Sequence, residues 1–513
     1  MSRLSKNIIY NLLGQGLLLV LSLVAVRYIF RRLGEDALGI IYFTAILNAI
    51  LCAVLEMGIC STTVREVSAH SGSNPGYIRD VIRTFSLVYW GAYALLAVAI
   101  FLLAPFLVRN WVSLEAMNVA AAIHVLRVLG IASLVALPKS FYVSLFRGLQ
   151  RMEFNNLIDV TTSGFQQFGT ILILILGGNV FHVVYWFAGC YGLSVLAYFF
   201  IAARFFSLRA LVPGCSFDVV RKNLSFASRM MSVSVISTIH TNFDKLIISK
   251  LLPIGVVGYY GIAYGTAAKG MLLAGAVSQA AFPSFSALFR AGDHQSLISQ
   301  YWKLQDFLCL GMVPILAIIP FVLLPLFSYV LNEETARLLL VPTVLLCVGF
   351  YMNGTLNVPH VFSLAVGRPG IAARSNFYAL FVVLPATAFL IYFFGLAGAG
   401  LSWVLYHIFG YFYGVPRICR ECLKIPVWRW YSHVLKIFAV VGLTYGGAGI
   451  ILGTTGSASI VSLSLAYAIA SIVFLTGSYF LIGDELHKAL SGALNRLRAE
   501  VAAVVRVLVQ AQA

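Results

Sequence analysis

Charge is what this sequence has least of. Charged side chains make up 10% of its 513 residues, while 60% are hydrophobic. A soluble domain carries about a quarter charged residues, so a water-soluble enzyme or binding module is excluded. Acid is scarcer still: 18 Asp and Glu stand against 35 Lys and Arg, a formal charge of +17. In a soluble protein that excess would point to nucleic acid. In an apolar chain the first question is where the positives sit relative to a bilayer. Cysteine is sparse, with eight residues scattered mostly through apolar runs, where a thiol packs as a small hydrophobe. Cys419 and Cys422 form half of a zinc-type spacing with no second half, so no metal site is expected. The inner loops are short and hold no phosphate-cradling glycine loop and no paired carboxylates, which removes the usual signatures of a cytosolic active site. Long outer loops are missing too, and with them the place where a membrane polymerase or ligase would present catalytic groups.

What is there is a succession of apolar runs of the ~20 residues that a membrane-spanning helix needs. They predict fourteen spans, near 8–30, 37–60, 84–108, 117–137, 156–176, 180–203, 224–249, 256–286, 305–331, 338–364, 376–394, 397–416, 434–453 and 458–482. The expected fold is all-α and polytopic. The first run follows Arg3 and Lys6 and has no small-residue cleavage site before Arg27, so it is expected as a retained helix. Pro283, Pro342 and Pro359 interrupt or bound spans eight and ten, and Pro314, Pro320 and Pro325 predict a kink in span nine. Each proline leaves a carbonyl without its helical donor. From Asp484 onward, leucines and valines recur at helical spacing among Lys488, Arg496, Arg498 and Arg506. This tail reads as an amphipathic cytosolic helix, lying either on the inner membrane surface or on the bundle itself.

With the N-terminus in the cytosol, 25 Lys and Arg fall in inner loops, five in outer loops and five within spans. Basic residues accumulate on the cytoplasmic side, so both termini are expected inside. The excess charge is then an orientation signal, and no nucleic-acid partner is needed. An internal repeat is also visible. Lys6-Asn7 recurs as Lys222-Asn223 at an offset of 216, Leu33 and Gly39 as Leu252 and Gly258 at 219, and Arg151 and Gly178 as Arg368 and Gly395 at 217. A duplication of six spans starts both copies on the same side, which predicts a parallel repeat with a substrate site between the halves. The expected organisation is a six-helix bundle over 1–206, a cytosolic linker over 207–223 and a second six-helix bundle over 224–417. A loop over 418–433, two additional helices over 434–482 and the tail over 484–513 follow.

Ionisable residues inside spans are expensive and therefore candidates for function. Arg27 and Lys245 sit at similar depth in the first span of each copy, where either lines a cavity or snorkels to the outer interface. Arg127 and Lys269 are too deep to snorkel and are expected to line a cavity. Arg229 is expected to anchor span seven. Among acids, Asp244 is the leading coupling or gating group, with His240 and Glu56 beside it. Asp159 and Asp306 are expected to have local partners, Lys303 being one for Asp306 at helical spacing. Span ten is unusually polar, carrying Tyr351, Asn353, Thr355, Asn357 and His360, while Gln166, Gln167, Asn11 and Gln15 add amides. Such groups either bond helices together or contact a glycan, for which Asn353, Asn357, His360 and Gln166 are the candidates. Trp90, Trp111, Trp186, Trp403, Tyr406, Trp428 and Trp430 are mostly expected at the interfaces. More buried positives than negatives suit an anionic substrate. A proton or sodium gradient or the membrane potential is the expected energy source, and no cofactor is expected.

Three stretches carry a resemblance: Arg32-Leu33-Gly34-Glu35-Asp36-Ala37-Leu38-Gly39; Leu55-Glu56-Met57-Gly58 closing at Arg65-Glu66; and Asp244-Lys245 leading to Gly258-Tyr259-Tyr260. With the fourteen spans, the chain resembles the polysaccharide transporter family of lipid-linked oligosaccharide flippases. The resemblance implies a superfamily shared with multidrug extruders and lipid II flippases, built as two six-helix bundles around a central cavity. It also implies movement of undecaprenyl-diphosphate-linked glycans (O-antigen, capsule or exopolysaccharide units) to the outer leaflet. The implied chain is a monomer working beside a polymerase and glycosyltransferases. Pro253-Ile254 departs from the pattern where the first copy has Gly34-Glu35. The competing readings are a cation-coupled drug extruder, a lipid II flippase and, from another class, a glycan polymerase or ligase. Five intramembrane positives form a poor lining for cationic drugs.

Overall fold

The computed structural model describes residues 3–56, 58–70, 74–455 and 459–480. The described chain is almost entirely helical. In order the helices are α1 (Arg3–Leu33), α2 (Glu35–Leu55), α3 (Ile59–His70), α4 (Pro75–Asn110), α5 (Val119–Ser133), α6 (Ala136–Gly148), α7 (Met152–Ile175), α8 (Val180–Phe205) and α9 (Leu208–Leu211). They continue as α10 (Phe217–Leu251), α11 (Ile254–Ala268), α12 (Met271–Arg290), α13 (His294–Val330), α14 (Glu333–Ala365), α15 (Gly370–Arg417), α16 (Val427–Val441), α17 (Gly447–Thr455) and α18 (Ile460–Tyr479). Short π-helical turns, Ile418–Leu423 and Gly442–Gly446, lie between α15 and α16 and between α16 and α17. Ten of the described helices are long and apolar enough to cross a membrane, so the protein is a multi-pass membrane protein.

Local chemistry sets the boundaries. Gly34, at φ +85°, separates α1 from α2, whose first turn carries Glu35 and Asp36 toward the positive end of the helix dipole. Asn74 caps α4 through the Tyr77 N–H at 3.0 Å, with Pro75 in the first turn. Asn179 caps α8 through the N–H groups of Phe181 and His182. Gly395 (φ +55°, ψ −132°) interrupts α15, a conformation that a side chain strongly disfavours, and so divides a run of 48 residues into two helices. The expected span over 256–286 is broken rather than continuous, because Lys269 and Gly270 bond back three residues to Thr266 and Ala267 instead of four. Pro283, by contrast, lies inside α12.

The described residues form two compact units. The first takes in the chain as far as Ile262 with Phe327–Ala336 and Leu384–Ala399; the second holds Ala263–Leu326, Arg337–Val383 and the chain from Gly400. The first has an aromatic centre of Tyr89, Phe141, Tyr142, Phe146 and Tyr198, all fully buried. In the second, Phe285 and Tyr301 both meet Phe362 edge-on at 5.3 and 5.4 Å. Outside the cores the packing inverts. Leu95, Val98, Leu102 and Phe106 form an exposed stripe along α4, Leu95 and Leu102 each at 66%. An apolar stripe of that length is stable against lipid chains and a liability in water.

In the first unit α2 crosses α11 at backbone contact. A Cβ on Gly39 would stand 2.2 Å from the Ile254 carbonyl oxygen, and one on Gly258 would stand 2.8 Å from Leu38 Cγ and 3.3 Å from the Gly39 nitrogen. Only glycine permits that approach. The interface aromatics need correction. Trp430 is fully buried and Trp403 is 6% exposed, while Trp428 is exposed; an indole that packs between helices is as apolar a filler as any. Asn11, Gln15 and Arg229 lie on α1 and α10, but their side chains fall outside the described residues, as does the whole of 484–513.

Candidate functional site

Five cations were expected within spans, and the structure describes the side chains of four of them, in four different settings. Arg27, half-buried on α1, donates through Nη1 to the Tyr329 carbonyl and lies over the Tyr329 ring, 3.7 Å from its centroid. Arg127 on α5 donates from Nε to the Phe101 carbonyl of α4 at 3.0 Å, with its guanidinium 4.2 Å from the Phe101 ring centroid. Phe101 stands four residues before Pro105, which has no N–H to give. Arg127 therefore satisfies the carbonyl that the proline orphans. Lys245 does not snorkel: it is 5% exposed and turns inward. Its Nζ donates to the Thr241 carbonyl at 2.6 Å and to Asp244 Oδ1 at 3.1 Å. Lys269 is exposed at the break between α11 and α12, and no ion pair or side-chain hydrogen bond engages it among the described residues.

Asp244 is as buried as Lys245, at 4%, and accepts a hydrogen bond from the Tyr260 hydroxyl at 2.8 Å. Asp244, Lys245 and Tyr260 thus form a buried unit in which the ammonium and the hydroxyl both bond the carboxylate. His240 lies buried one turn earlier on α10. Glu56 is half-buried at the interruption between α2 and α3, beside Gly58 at φ +64°. Asp159 pairs with Lys139 at 2.7 Å and accepts from the Tyr198 hydroxyl. Asp306 lies 3.2 Å from His433 Nε2, a partner from a helix remote in sequence. Gln166 on α7 takes the Trp186 indole N–H on its backbone carbonyl at 3.0 Å, so its main chain serves helix packing.

Asn353, Asn357 and His360 do come together. They stand at i, i+4 and i+7 on α14 and line a cavity of about 220 Å³ inside the second unit. The facing walls come from α15 on either side of Gly395: Ser375 and Asn376 before it, Tyr406 and His407 after it. The Tyr406 hydroxyl donates to Asn376 Oδ1 at 3.2 Å, and Ser278 donates to Asn357 Oδ1. His407 Nδ1 lies 2.7 Å from the Trp403 carbonyl, so the neutral ring donates there and keeps Nε2 as its acceptor.

Two polar clusters of the first unit were missed in the sequence. Asp36 Oδ2 accepts the N–H groups of Glu115, Ala116 and Met117 at 2.9, 2.7 and 2.8 Å. The segment so held grips the end of α10: Trp111 Nε1 donates to Ser249 Oγ at 3.0 Å, Lys250 Nζ to the Asn110 carbonyl at 2.8 Å, and Ile254 N to the Ser113 carbonyl at 3.0 Å. The second cluster surrounds Glu66. Arg65 Nη2 is 2.6 Å from Oε1, the Tyr77 hydroxyl donates to Oε2 at 2.8 Å, and Lys222 Nζ stands 3.8 Å away. Burial of Glu66 pushes its pKa up, but the hydrogen bonds from Tyr77 and Arg65 and the charges of Arg65 and Lys222 outweigh it, leaving the carboxyl below its usual range. Lys222-Asn223 marked the repeat in the sequence, yet nothing there showed that Asn223 would accept from Arg65 at 2.6 Å.

Comparison with known proteins adds the lineage. A putative O-antigen transporter of Shigella flexneri is 20% identical over 411 residues, 78% of this chain and 93% of its own length. The lipopolysaccharide biosynthesis protein WzxC of Escherichia coli K12 is 26% identical over 207 residues, 40% of this chain and 42% of its own. Among solved structures, the lipid II flippase MurJ in an inward closed conformation has a TM-score of 0.67 at 15% identity, covering 92% of this chain and 98% of that one. An inward-facing multidrug resistance MATE family transporter of the MOP superfamily has a TM-score of 0.65 at 16% identity over 79% of this chain and 95% of its own. At those identities the likeness is one of fold. The model of the family described as "Polysaccharide biosynthesis protein" matches residues 4–289, more than half of the sequence, and the chain belongs to that family.

Proposed function

We propose that the protein is a flippase carrying polyprenyl-diphosphate-linked glycans from the inner to the outer leaflet of a bacterial inner membrane, not an enzyme. Lys269 is the observation that carries this reading. A lysine left exposed within an apolar chain needs water or a counter-ion around it, and it stands where α11 breaks before α12 begins. Broken helices mark substrate sites in transporters because the freed backbone and the next helix N-terminus face an anion. A diphosphate supplies that anion, and the relative named as an O-antigen transporter supports the glycan. Arg127, Arg27 and Lys245 are secondary contacts for the substrate's charge, each already engaged within the fold. Asp244, with His240 and Glu56, is the coupling or gating group.

The fourteen-span, two-bundle architecture is part of the proposal. α1, α7 and α10 stand with the ten apolar helices at the expected positions, and Gly395 splits α15 into two. Gly39 and Gly258, equivalent under the repeat, meet at one crossing, as residues near a pseudo-two-fold axis do. With both termini in the cytosol, Gly39 and Gly258 lie near the outer ends of α2 and α11. The test is a proteoliposome assay in which a lipid-linked oligosaccharide is scored by its exposure to a lectin on the far side. Flipping by the wild type, and its loss in Lys269→Ala at equal protein content, is the expected result; equal rates in the two would sink the reading.

A further inference from the structure

A diphosphate site built on cations leaves the cavity of the second unit unused. None of its lining residues is Asp, Glu, Lys or Arg. It offers neither the cations that hold a phosphate group nor the carboxylates that neutralise a bound metal ion. Its polar groups are amides, hydroxyls and imidazoles. Among the described residues the Asn353 side chain and the His360 ring make no hydrogen bond within the protein, and Asn357 uses only its oxygen, for Ser278. Amide and imidazole groups without partners are costly in apolar surroundings, so water or a ligand's hydroxyls must meet them. The same lining includes the apolar side chains of Leu356, Ile371, Ala379 and Val415 and the ring of Phe409. A lining that mixes uncharged polar groups with apolar surface suits a sugar ring, whose hydroxyls project from its edge and whose C–H groups form its faces. A cavity of about 220 Å³ has room for a single sugar ring.

We propose that this cavity is a subsite for one uncharged sugar residue of the carried glycan. Asn353, Asn357 and Asn376 bond its hydroxyls, His360 closes the exposed edge, and a carboxylated sugar is refused because no cation faces it. The inference rests on the flippase reading, and on the orientation given there the cavity lies in the cytosolic half of its bundle, where a glycan assembled inside would enter. It separates recognition of the glycan from recognition of the diphosphate, at residues that share no side chain with Lys269.

The test uses the full chain in lipid nanodiscs and the fluorescence of its tryptophans, since the Trp403 ring lies 4.8 Å from that of His407. The ligands are free galactose, glucose, N-acetylglucosamine and glucuronic acid, with inorganic pyrophosphate read separately. At least one neutral sugar should bind in a saturable way and glucuronic acid should not. Asn353→Leu and Asn376→Leu should each weaken that binding by about tenfold, the worth of one or two hydrogen bonds, and leave pyrophosphate binding unchanged. Ala372→Leu, which fills the cavity and removes no polar group, should do the same, and the wild-type sugar series needs no variant at all. Absence of sugar binding by a protein that still binds pyrophosphate and flips lipid overturns the subsite alone, as does equal binding of glucuronic acid. Loss of pyrophosphate binding and flipping in the wild type overturns the flippase reading instead.

Discussion

Pro105 removes the N–H that the Phe101 carbonyl would otherwise accept, and Arg127 replaces it from the neighbouring helix. The sequence shows both halves of this arrangement, a proline four residues after Phe101 and a deep arginine, but not the pairing of α4 with α5 that joins them. The pairing makes a prediction that separates a structural role from a substrate role. Arg127→Leu should lower thermal stability in detergent by ~1–3 kcal/mol, the penalty of an unmet polar group, and Pro105→Ala should restore it by returning the N–H. If Arg127→Leu is stable but inactive, and Pro105→Ala gives no rescue, the guanidinium serves the substrate instead. Glu66 gives a second test. Its folded pKa lies below the unfolded one, so the folded state binds fewer protons. The stabilisation is then complete above the ordinary carboxylate value of about 4.3 and is lost as pH falls through the lower, folded value. Thermal unfolding followed from pH 7 downward should show that loss in the wild type, and Glu66→Gln should flatten the part due to this group. A variant that keeps the full acid dependence would remove Glu66 from the account.

At the scale of elements, much of what matters was legible and one class of contact was not. Apolar runs gave the helices because lipid imposes a length and a composition on each. Gly395 was singled out only by its offset from Gly178, whereas the positive φ there belongs to Gly177; the polar face of α14 was visible as the spacing of Asn353, Asn357 and His360. The walls facing that spacing come from α15, and helix pairing leaves no trace in a single apolar sequence. The hold of the 111–118 segment on α10 and α11 was hidden for the same reason. Asp36 organises it by accepting three backbone N–H groups at once, and hydrogen bonds to a charged group contribute ~1.5–3 kcal/mol each. Asp36→Ala should therefore speed amide exchange at Glu115, Ala116 and Met117 by about tenfold or more. The N–H of Ile254, which bonds Ser113, should follow. Acceleration limited to 115–117 would mean that the segment does not transmit its anchorage to α11. Gly39→Leu tests the crossing itself: a Cβ 2.2 Å from a backbone oxygen forces α2 and α11 apart. A cysteine at Ala37, fully buried now, should then become reactive to a membrane-impermeant maleimide.

At the scale of the whole molecule, the surplus of positive charge has two uses that must be kept apart. On the proposed orientation most Lys and Arg set how the chain lies in the membrane, while inside spans Arg127 bonds a carbonyl and Lys245 pairs with Asp244. Lys269 has no such engagement among the described residues, and the anion proposed for it sets how transport should respond to voltage. An outward-moving diphosphate carries negative charge down an inside-negative potential, and each charge gains ~2.3 kcal/mol per 100 mV. Two charges gain about twice that, enough to drive translocation without an ion. Flipping in proteoliposomes should accelerate when a potassium diffusion potential, negative on the side of substrate entry, is imposed at equal pH. Lys269→Ala should stay at the protein-free baseline at every potential. Asp244→Asn should slow flipping at every potential yet keep its acceleration by voltage, because Asp244 gates the site while the diphosphate carries the driving charge. The opposite pattern, in which rate follows a pH gradient, ignores voltage and disappears in Asp244→Asn, would make the Asp244–Lys245–Tyr260 unit a proton-coupled switch and leave Lys269 a binding charge only.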